Sequence, residues 1–150
     1  MWCSLKLKAS IIFLVILWTP RVAYYTIDLL IHMLQVAVTS AGNSIQAYST
    51  LKYTSEIYQN TPGAVTPLTG RVFGTYTFLA AIIRFYAALN IHDPLIYQLA
   101  IATYGVAWFH FVSEWFVFKS ARWGRALAGP VIVSNASLIW MLAVWGYYVQ

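Results

Sequence analysis

The sequence predicts an all-α membrane protein, a bundle of four transmembrane helices preceded by an additional short apolar segment. Three observations support this fold class. Of the 150 residues, 61% are hydrophobic and only 9% are charged, whereas a soluble globular domain carries about 25% charged residues. Four stretches of the chain reach the roughly 20 apolar residues that a helix needs to cross a bilayer. Prolines, glycines and charged residues separate each stretch from the next.

The same composition excludes several classes of function. Nine Lys and Arg residues spread over the whole chain form no dense basic patch, so nucleic-acid binding is not expected. The single cysteine, Cys3, cannot form an internal disulfide, a CxxC pair or a thiolate zinc site. The chain contains no HExxH, no GxSxG and no glycine-rich phosphate loop. We therefore expect no metal, no cofactor and no catalysis that depends on them, whereas an acid/base isomerase stays possible because it needs only correctly placed protons.

The spans follow from the position of the helix breakers. Residues 52–70 contain Pro62, Gly63 and Pro67 and are predicted to form a solvated loop. The segment 92–94 predicts a tight hairpin, and its last residue is a proline suited to a helix start. Residues 119–129 are short and basic, and Pro130 is predicted to open the last helix. Residues 27–150 are thus predicted to be one transmembrane domain with spans at about 27–51, 71–91, 95–118 and 130–149.

The first 26 residues permit three interpretations. An apolar run at residues 9–18 follows Lys6 and Lys8 and ends before Pro20. This pattern is compatible with an uncleaved, half-inserted segment, with a fifth span that merges with residue 27 onwards, or with a signal peptide cut after Ala23. Arg21 lies where a signal peptide needs a small neutral residue, which favours an uncleaved segment.

The distribution of positive charge predicts the orientation, because Lys and Arg concentrate in cytosolic loops. With four spans, one face carries five basic residues and the opposite face carries three. If the N-terminal segment also crosses, the count becomes seven against one. In both cases the two longer loops are cytosolic, and we expect their basic residues to dock partners. The candidates for docking are Arg71, Lys119, Arg122 and Arg125, with Lys52 on the same face.

Polar side chains inside a bilayer are costly unless they face protein or water. Each predicted span has one face of polar or small residues, at spacings of three and four. These faces predict an inward polar core or an intramembrane interaction surface. A stripe of small residues, Gly74, Ala81 and Ala88, is a candidate for packing against the helices of a partner. The candidate core residues are Asn43, Gln46, Gly74, Arg84, His110, Glu114 and Ser134.

Two of these positions allow more than one role. His110 and Glu114 are four residues apart on one helical face, which favours a structural hydrogen-bonded pair. An acid/base site, a lipid-headgroup site and a partner contact are the alternatives. Arg84 lies deep in its span with no acidic residue at the same depth. Its predicted neighbours are Gln35 and Tyr104, or else the guanidinium extends towards an aspartate at the membrane surface.

Four sequence blocks occur in a fixed order that covers roughly residues 30–142, about three quarters of the chain. The blocks are Asn43–Tyr48, Arg71–Thr77 continuing to Arg84–Ala87, His110–Glu114, and Gly129–Ser134 with Ser137–Met141. In order and spacing they resemble the ergosterol biosynthetic protein 28 family. Residues 1–26 depart from the family pattern.

The resemblance implies a non-catalytic scaffold in the endoplasmic reticulum membrane that tethers the enzymes of sterol C-4 demethylation. The implied partners are the C-4 sterol methyl oxidase, the sterol-4α-carboxylate 3-dehydrogenase and the 3-keto-sterol reductase, with the sterol C-24 methyltransferase in fungi and membrane lipid. The alternative from another class is an intramembrane sterol-binding protein or acid/base sterol isomerase that uses Arg84, His110 and Glu114. A third hypothesis is a structural subunit of an unrelated membrane complex.

Overall fold

A computed structural model describes residues 27–149, and over this range the chain forms helices and connecting loops without a strand. The predictions made for residues 1–26 lie outside the described residues. The elements in chain order are helix α1 (27–49), helix α2 (Lys52–Ile57), a short 3-10 helix (Pro62–Ala64), helix α3 (Pro67–Leu89), helix α4 (Pro94–Phe116), helix α5 (Arg125–Ala143) and helix α6 (Trp145–Tyr148).

Within residues 27–149, three helices, α3, α4 and α5, are long and apolar enough to cross a membrane. Their outer faces carry exposed apolar side chains such as Leu95 and Phe109, as expected for helices that contact lipid. Helix α1 coincides with the first predicted span, but that it crosses the membrane stays a prediction, and so does the four-span bundle. We call the end of the molecule that carries Lys52, Arg71, Lys119, Arg122 and Arg125 the basic end. The end that carries residues 90–93 is the hairpin end.

Capping explains where α3 and α4 begin. The side chains and backbones of Thr66 and Thr69 bond to each other reciprocally, and Pro67 occupies the first turn. Helix α3 therefore begins four residues before the predicted Arg71, within a segment predicted to be loop. At the hairpin, the Asp93 carboxylate accepts hydrogen bonds from the N–H groups of Leu95 and Ile96. This cap agrees with the predicted start of the third span.

Helix α5 differs from the predicted fourth span at both ends. It begins at Arg125, so Pro130 lies inside the helix rather than at its start. Because proline has no backbone N–H, this turn lacks one helical hydrogen bond. At the other end the helix stops at Ala143 and is followed by the separate α6. The Tyr97 hydroxyl donates to the Met141 carbonyl at 2.8 Å, so α4 satisfies a backbone group near this break.

Helices α1 and α3 approach closely because small residues face each other. A Cβ atom added at Gly74 would lie 2.8 Å from the Tyr48 ring and 3.1 Å from the Ser44 carbonyl oxygen. The Ser44 hydroxyl donates to the Gly74 carbonyl at 2.6 Å. Gly70, one turn earlier, is equally tight against Leu51. The spacing Gly-x-x-x-Gly thus serves an internal helix contact, as it does in many membrane proteins.

Two apolar clusters lie along the helix axes. The hairpin-end cluster joins α1, α3, α4, α5 and α6 and is centred on Met33, Tyr97 and Met141, all with no exposed surface. The basic-end cluster is smaller and is centred on Ile57, Phe111 and Leu127. The polar residues that the sequence singled out lie between these clusters and at the basic end.

Candidate functional site

Arg84 is the centre of a polar cluster that joins three helices. Its Nη1 donates to Ser40 Oγ on α1 at 3.0 Å, and its Nε donates to Thr103 Oγ1 on α4 at 3.1 Å. Its Nη2 donates to the Thr103 carbonyl at 3.2 Å, and the guanidinium lies 4.2 Å from the centre of the Tyr104 ring. The side chain is only 5% exposed. Of the two predicted neighbours, Tyr104 contacts the guanidinium, whereas none of these hydrogen bonds goes to Gln35. The hydroxyl partners were not predicted.

The structure does not join His110 to Glu114 by a hydrogen bond, although they occupy one face of α4. His110 Nε2 bonds to the Tyr58 hydroxyl at 2.6 Å. Glu114 instead accepts a short hydrogen bond from Ser120. Burial raises the pKa of the Tyr58 hydroxyl above its ordinary value, and the Glu114 charge raises it further, so the phenol stays protonated. Each polar residue of this pair therefore fastens α4 to a different loop of the basic end.

The predicted stripe of small residues is buried within the chain itself. Gly74, Ala81 and Ala88 all have less than a tenth of their surface exposed. The contact with α1 covers Gly74, so this position is not open to the helix of a partner. Small residues make this contact possible because they let two helix backbones approach closely. An intramembrane partner would have to bind another face.

Most of the remaining predicted residues line a cavity of about 350 Å³. Asn43 and Gln46 line it from α1, Ser134 lines it from α5, and Arg84 lies in its wall on α3. Asn43 and Gly129 are also exposed, which places the opening between α1 and α5. The polar and small faces of the helices thus meet around a cavity rather than in a continuous packed core.

The loops of the basic end bond to each other. The Asn60 backbone N–H donates to the Ser120 carbonyl at 3.2 Å, and its side-chain amide donates to the Lys119 carbonyl at 2.9 Å. The Arg122 N–H donates to the Ile57 carbonyl at 3.1 Å. Lys119 has a φ of 55°, a strained value for a residue other than glycine. The segment predicted to be a solvated loop is thus folded against the loop between α4 and α5.

The predicted docking residues are exposed at the basic end. Arg71 on α3, Lys119 and Arg122 in the loop, and Arg125 at the start of α5 are all exposed. Trp123, which lies between Arg122 and Arg125 in the sequence, stacks on Trp115 with ring centres 4.5 Å apart. The basic side chains therefore extend from a backbone held by interloop hydrogen bonds and aromatic packing.

Replacing Asn60 with alanine is expected to loosen the basic end. The change removes the hydrogen bond to the Lys119 carbonyl and should lower the free energy of unfolding by about 1 kcal/mol. Hydrogen–deuterium exchange at the Arg122 N–H should accelerate in this variant. Asn90→Ala is the matched control, because the Asn90 amide bonds only to Tyr86 of its own helix. Equal exchange in both variants would contradict the role given to Asn60.

Sequence reasoning missed the hydroxyl partners of the predicted residues. Ser40, Thr103, Tyr58 and Ser120 each bond to a residue that was singled out. Thr103 lies seven residues before His110 on the polar face predicted for that span, whereas Ser40 was not placed on the polar face of the first span. Among the residues that the structure describes, no three His, Cys, Asp or Glu side chains are placed to hold a metal ion.

Comparison with known proteins places this geometry in a family. A family profile described as Erg28 like protein matches residues 29–139, which include the cavity and the Arg84 cluster. The chain belongs to this family. The match confirms the resemblance noted in the sequence. The match begins after residues 1–26, the segment that departs from the family pattern.

Named relatives come from fungi and mammals. Ergosterol biosynthetic protein 28 of Candida albicans is 40% identical over 118 residues, which cover 79% of this chain and 86% of the relative. The Saccharomyces cerevisiae protein of the same name is 41% identical over 117 residues, 77% of this chain and 79% of the relative. The human ergosterol biosynthetic protein 28 homolog is 31% identical over 111 residues, with shares of 73% and 79%. No solved structure matches the chain.

Proposed function

We propose that this protein is a non-catalytic scaffold that tethers the enzymes of sterol C-4 demethylation to the endoplasmic reticulum membrane. The observation that carries the proposal is its membership of a family whose members are named for ergosterol biosynthesis. The proposed partners are the C-4 sterol methyl oxidase, the sterol-4α-carboxylate 3-dehydrogenase and the 3-keto-sterol reductase, with the sterol C-24 methyltransferase in fungi. The multi-pass membrane location in the endoplasmic reticulum is part of the proposal.

The hydrogen bonds of the polar span residues support a non-catalytic role. An acid/base isomerase would need Arg84, His110 and Glu114 around one substrate. In the structure each of the three is held by a different partner, and His110 and Glu114 bond to loops at the basic end. The cavity is lined by Arg84 but not by His110 or Glu114, which favours sterol binding over isomerisation as the second candidate function. Glu114→Gln would abolish an isomerase and leave a scaffold intact.

The basic end is the proposed docking surface for the less hydrophobic enzymes. Its exposed cations would attract acidic surfaces of the dehydrogenase and reductase, or anionic lipid beneath them. A surface held by interloop hydrogen bonds loses little conformational entropy when a partner binds. The membrane-embedded oxidase would instead contact the exposed apolar faces of the helices.

Co-purification from membranes tests this proposal. The wild-type protein, tagged and extracted in mild detergent, should recover the oxidase, dehydrogenase and reductase, and cells that lack it should accumulate 4-methyl or 4-carboxy sterols. The double variant Arg122→Glu with Arg125→Glu should lose most of the dehydrogenase and reductase but retain the oxidase. The control is Arg122→Lys with Arg125→Lys, which keeps both charges.

Two results would contradict the proposal at different levels. Unchanged recovery of the dehydrogenase and reductase by the glutamate variant would exclude docking through these arginines. Normal sterols in cells without the protein, with none of the three enzymes recovered by the wild type, would exclude the scaffold function as a whole.

A further inference from the structure

The charge of Arg84 has no anionic partner among the residues that the structure describes. The chain has four acidic residues, and all of them lie within residues 27–149. Asp93 caps α4, and Glu114 bonds to Ser120. Glu56 is exposed in α2, and Asp28 lies in the first turn of α1, twelve residues before the Ser40 that contacts Arg84. The recorded contacts of Arg84 are two hydroxyls, one carbonyl and one aromatic ring, all neutral. A cation buried without a counter-ion is costly, and costlier still in a membrane.

The neighbours of Arg84 do not need it for their own hydrogen bonding. The Thr103 hydroxyl also donates to the Ala100 carbonyl at 2.7 Å. Ser40 is inside α1, where a serine hydroxyl can bond to the carbonyl one turn earlier. Removing the guanidinium would therefore leave few unsatisfied groups. The contacts that join Arg84 to α1 and α4 therefore leave its positive charge without a counter-ion.

Arg84 lines the cavity, and some of its N–H groups form no hydrogen bond. A guanidinium has five N–H groups, and three hydrogen bonds are formed, one from each nitrogen. One N–H on each Nη atom thus forms none of these hydrogen bonds, and an anionic oxygen is the strongest acceptor for such a group. The Tyr76 hydroxyl, on the same wall of the cavity, is buried and has no partner among the described residues. Buried polar atoms without partners are rare in folded proteins.

The remaining walls suit a lipid-soluble ligand. They are formed mainly by apolar side chains such as Phe73, Phe111 and Val133, and a volume of about 350 Å³ lies within the range of small-molecule sites. Thr39 on α1 and Val133 on α5 also line the cavity and are exposed, so the opening extends one turn further along the helices than Asn43 and Gly129. A ligand could enter from the bilayer and leave part of its apolar body in lipid.

We propose that this cavity binds a carboxylated sterol, with the carboxylate held by Arg84 and a second polar group near Tyr76. The class of ligand rests on the proposed function, because a sterol-4α-carboxylate is the substrate of one of the proposed partner enzymes. The carboxylate supplies the missing counter-ion, and the rigid ring system fills the apolar walls. The scaffold would then hold an intermediate between two of the enzymes that it assembles.

Equilibrium binding to the purified full chain tests the site. The protein is placed in phosphatidylcholine nanodiscs with a tritiated 4α-carboxysterol, and a neutral 4α-hydroxymethyl sterol and oleate serve as competitors. The carboxysterol should bind saturably and at least tenfold more tightly than either competitor. Arg84→Gln should bring the two sterols to equal affinity, because it removes the charge but retains N–H donors.

Two further variants separate the site from general stability. Gly129→Trp places a large side chain at the opening, where nothing lies within 4 Å of the added Cβ, and should lower affinity more than tenfold. Gly42→Trp is its control, since Gly42 is equally open and exposed but does not line the cavity. Tyr76→Phe should weaken binding without lowering the melting temperature.

Three results would overturn the assignment. They are the absence of saturable binding, equal affinities in Gly129→Trp and the wild type, and competition by oleate as strong as that by the unlabelled carboxysterol. Co-purification of the enzymes with the wild-type protein distinguishes the two proposals. If the wild type recovers the enzymes but does not bind the carboxysterol, only the cavity assignment fails. If no enzyme is recovered with the wild type, the scaffold function itself fails.

Discussion

Replacing Gly74 with leucine is expected to separate α1 from α3 and to lower the free energy of unfolding by about 2–4 kcal/mol. Even a single added carbon would meet the Tyr48 ring at 2.8 Å and the Ser44 carbonyl at 3.1 Å. The two helices would have to move apart, which would also break the hydrogen bond from Ser44 to the Gly74 carbonyl. Thermal unfolding in detergent measures this loss.

The matched control is Gly42→Leu. Gly42 is also a helical glycine of a predicted span, yet nothing lies within 4 Å of an added Cβ. The control should therefore keep the wild-type melting temperature. A melting temperature for Gly74→Leu equal to that of Gly42→Leu would show that α1 and α3 do not pack through this glycine.

Tyr97→Ala is expected to destabilise the hairpin end by about 3–5 kcal/mol, the range for deleting a buried aromatic side chain. Tyr97 has no exposed surface, stacks on Tyr148 with ring centres 4.8 Å apart, and donates to the Met141 carbonyl. The alanine would leave a cavity and an unsatisfied carbonyl near the end of α5.

Tyr97→Phe separates these two contributions. It keeps the ring and removes only the hydroxyl, so we expect a loss of about 1 kcal/mol. Tyr86→Ala is the control for a tyrosine that is largely exposed, 59% of its surface, on the outside of α3. If unfolding measurements gave Tyr97→Ala and Tyr86→Ala the same stability, the break between α5 and α6 would not depend on Tyr97.

Local signals predicted some helix ends and misplaced others. The start of α4 was predicted because Asp93 and Pro94 act on the backbone within three residues, independently of the rest of the chain. The α3 start was missed because Thr66 and Pro67 are also typical of loops. Pro130 was predicted to start a helix, yet α5 begins at Arg125 and Pro130 lies inside it. The proline does not prevent the helical turn that precedes it. A helix-breaking residue indicates that a helix end is near, but it does not indicate whether that end lies before or after it.

The polar residues were predicted more reliably than their partners. Depth along the helices was enough to bring Arg84 near Tyr104. The partner of His110 is Tyr58, 52 residues earlier, and it comes into reach only because the segment after α1 folds back onto α4. Spacing within one helix cannot reveal such a contact, so the adjacent Glu114 was the favoured partner. The assignment of the chain to its family comes from sequence comparison and does not depend on these contacts.

The hydrogen bonds of Arg84 have a consequence for biosynthesis. Helix α3 carries a cation whose insertion at the centre of an isolated helix costs about 2.5–3.5 kcal/mol. Its partners are Ser40, synthesised earlier, and Thr103, synthesised later. We therefore expect α3 to remain beside α1 at the translocon until α4 emerges from the ribosome. The three helices would enter the lipid together rather than one at a time.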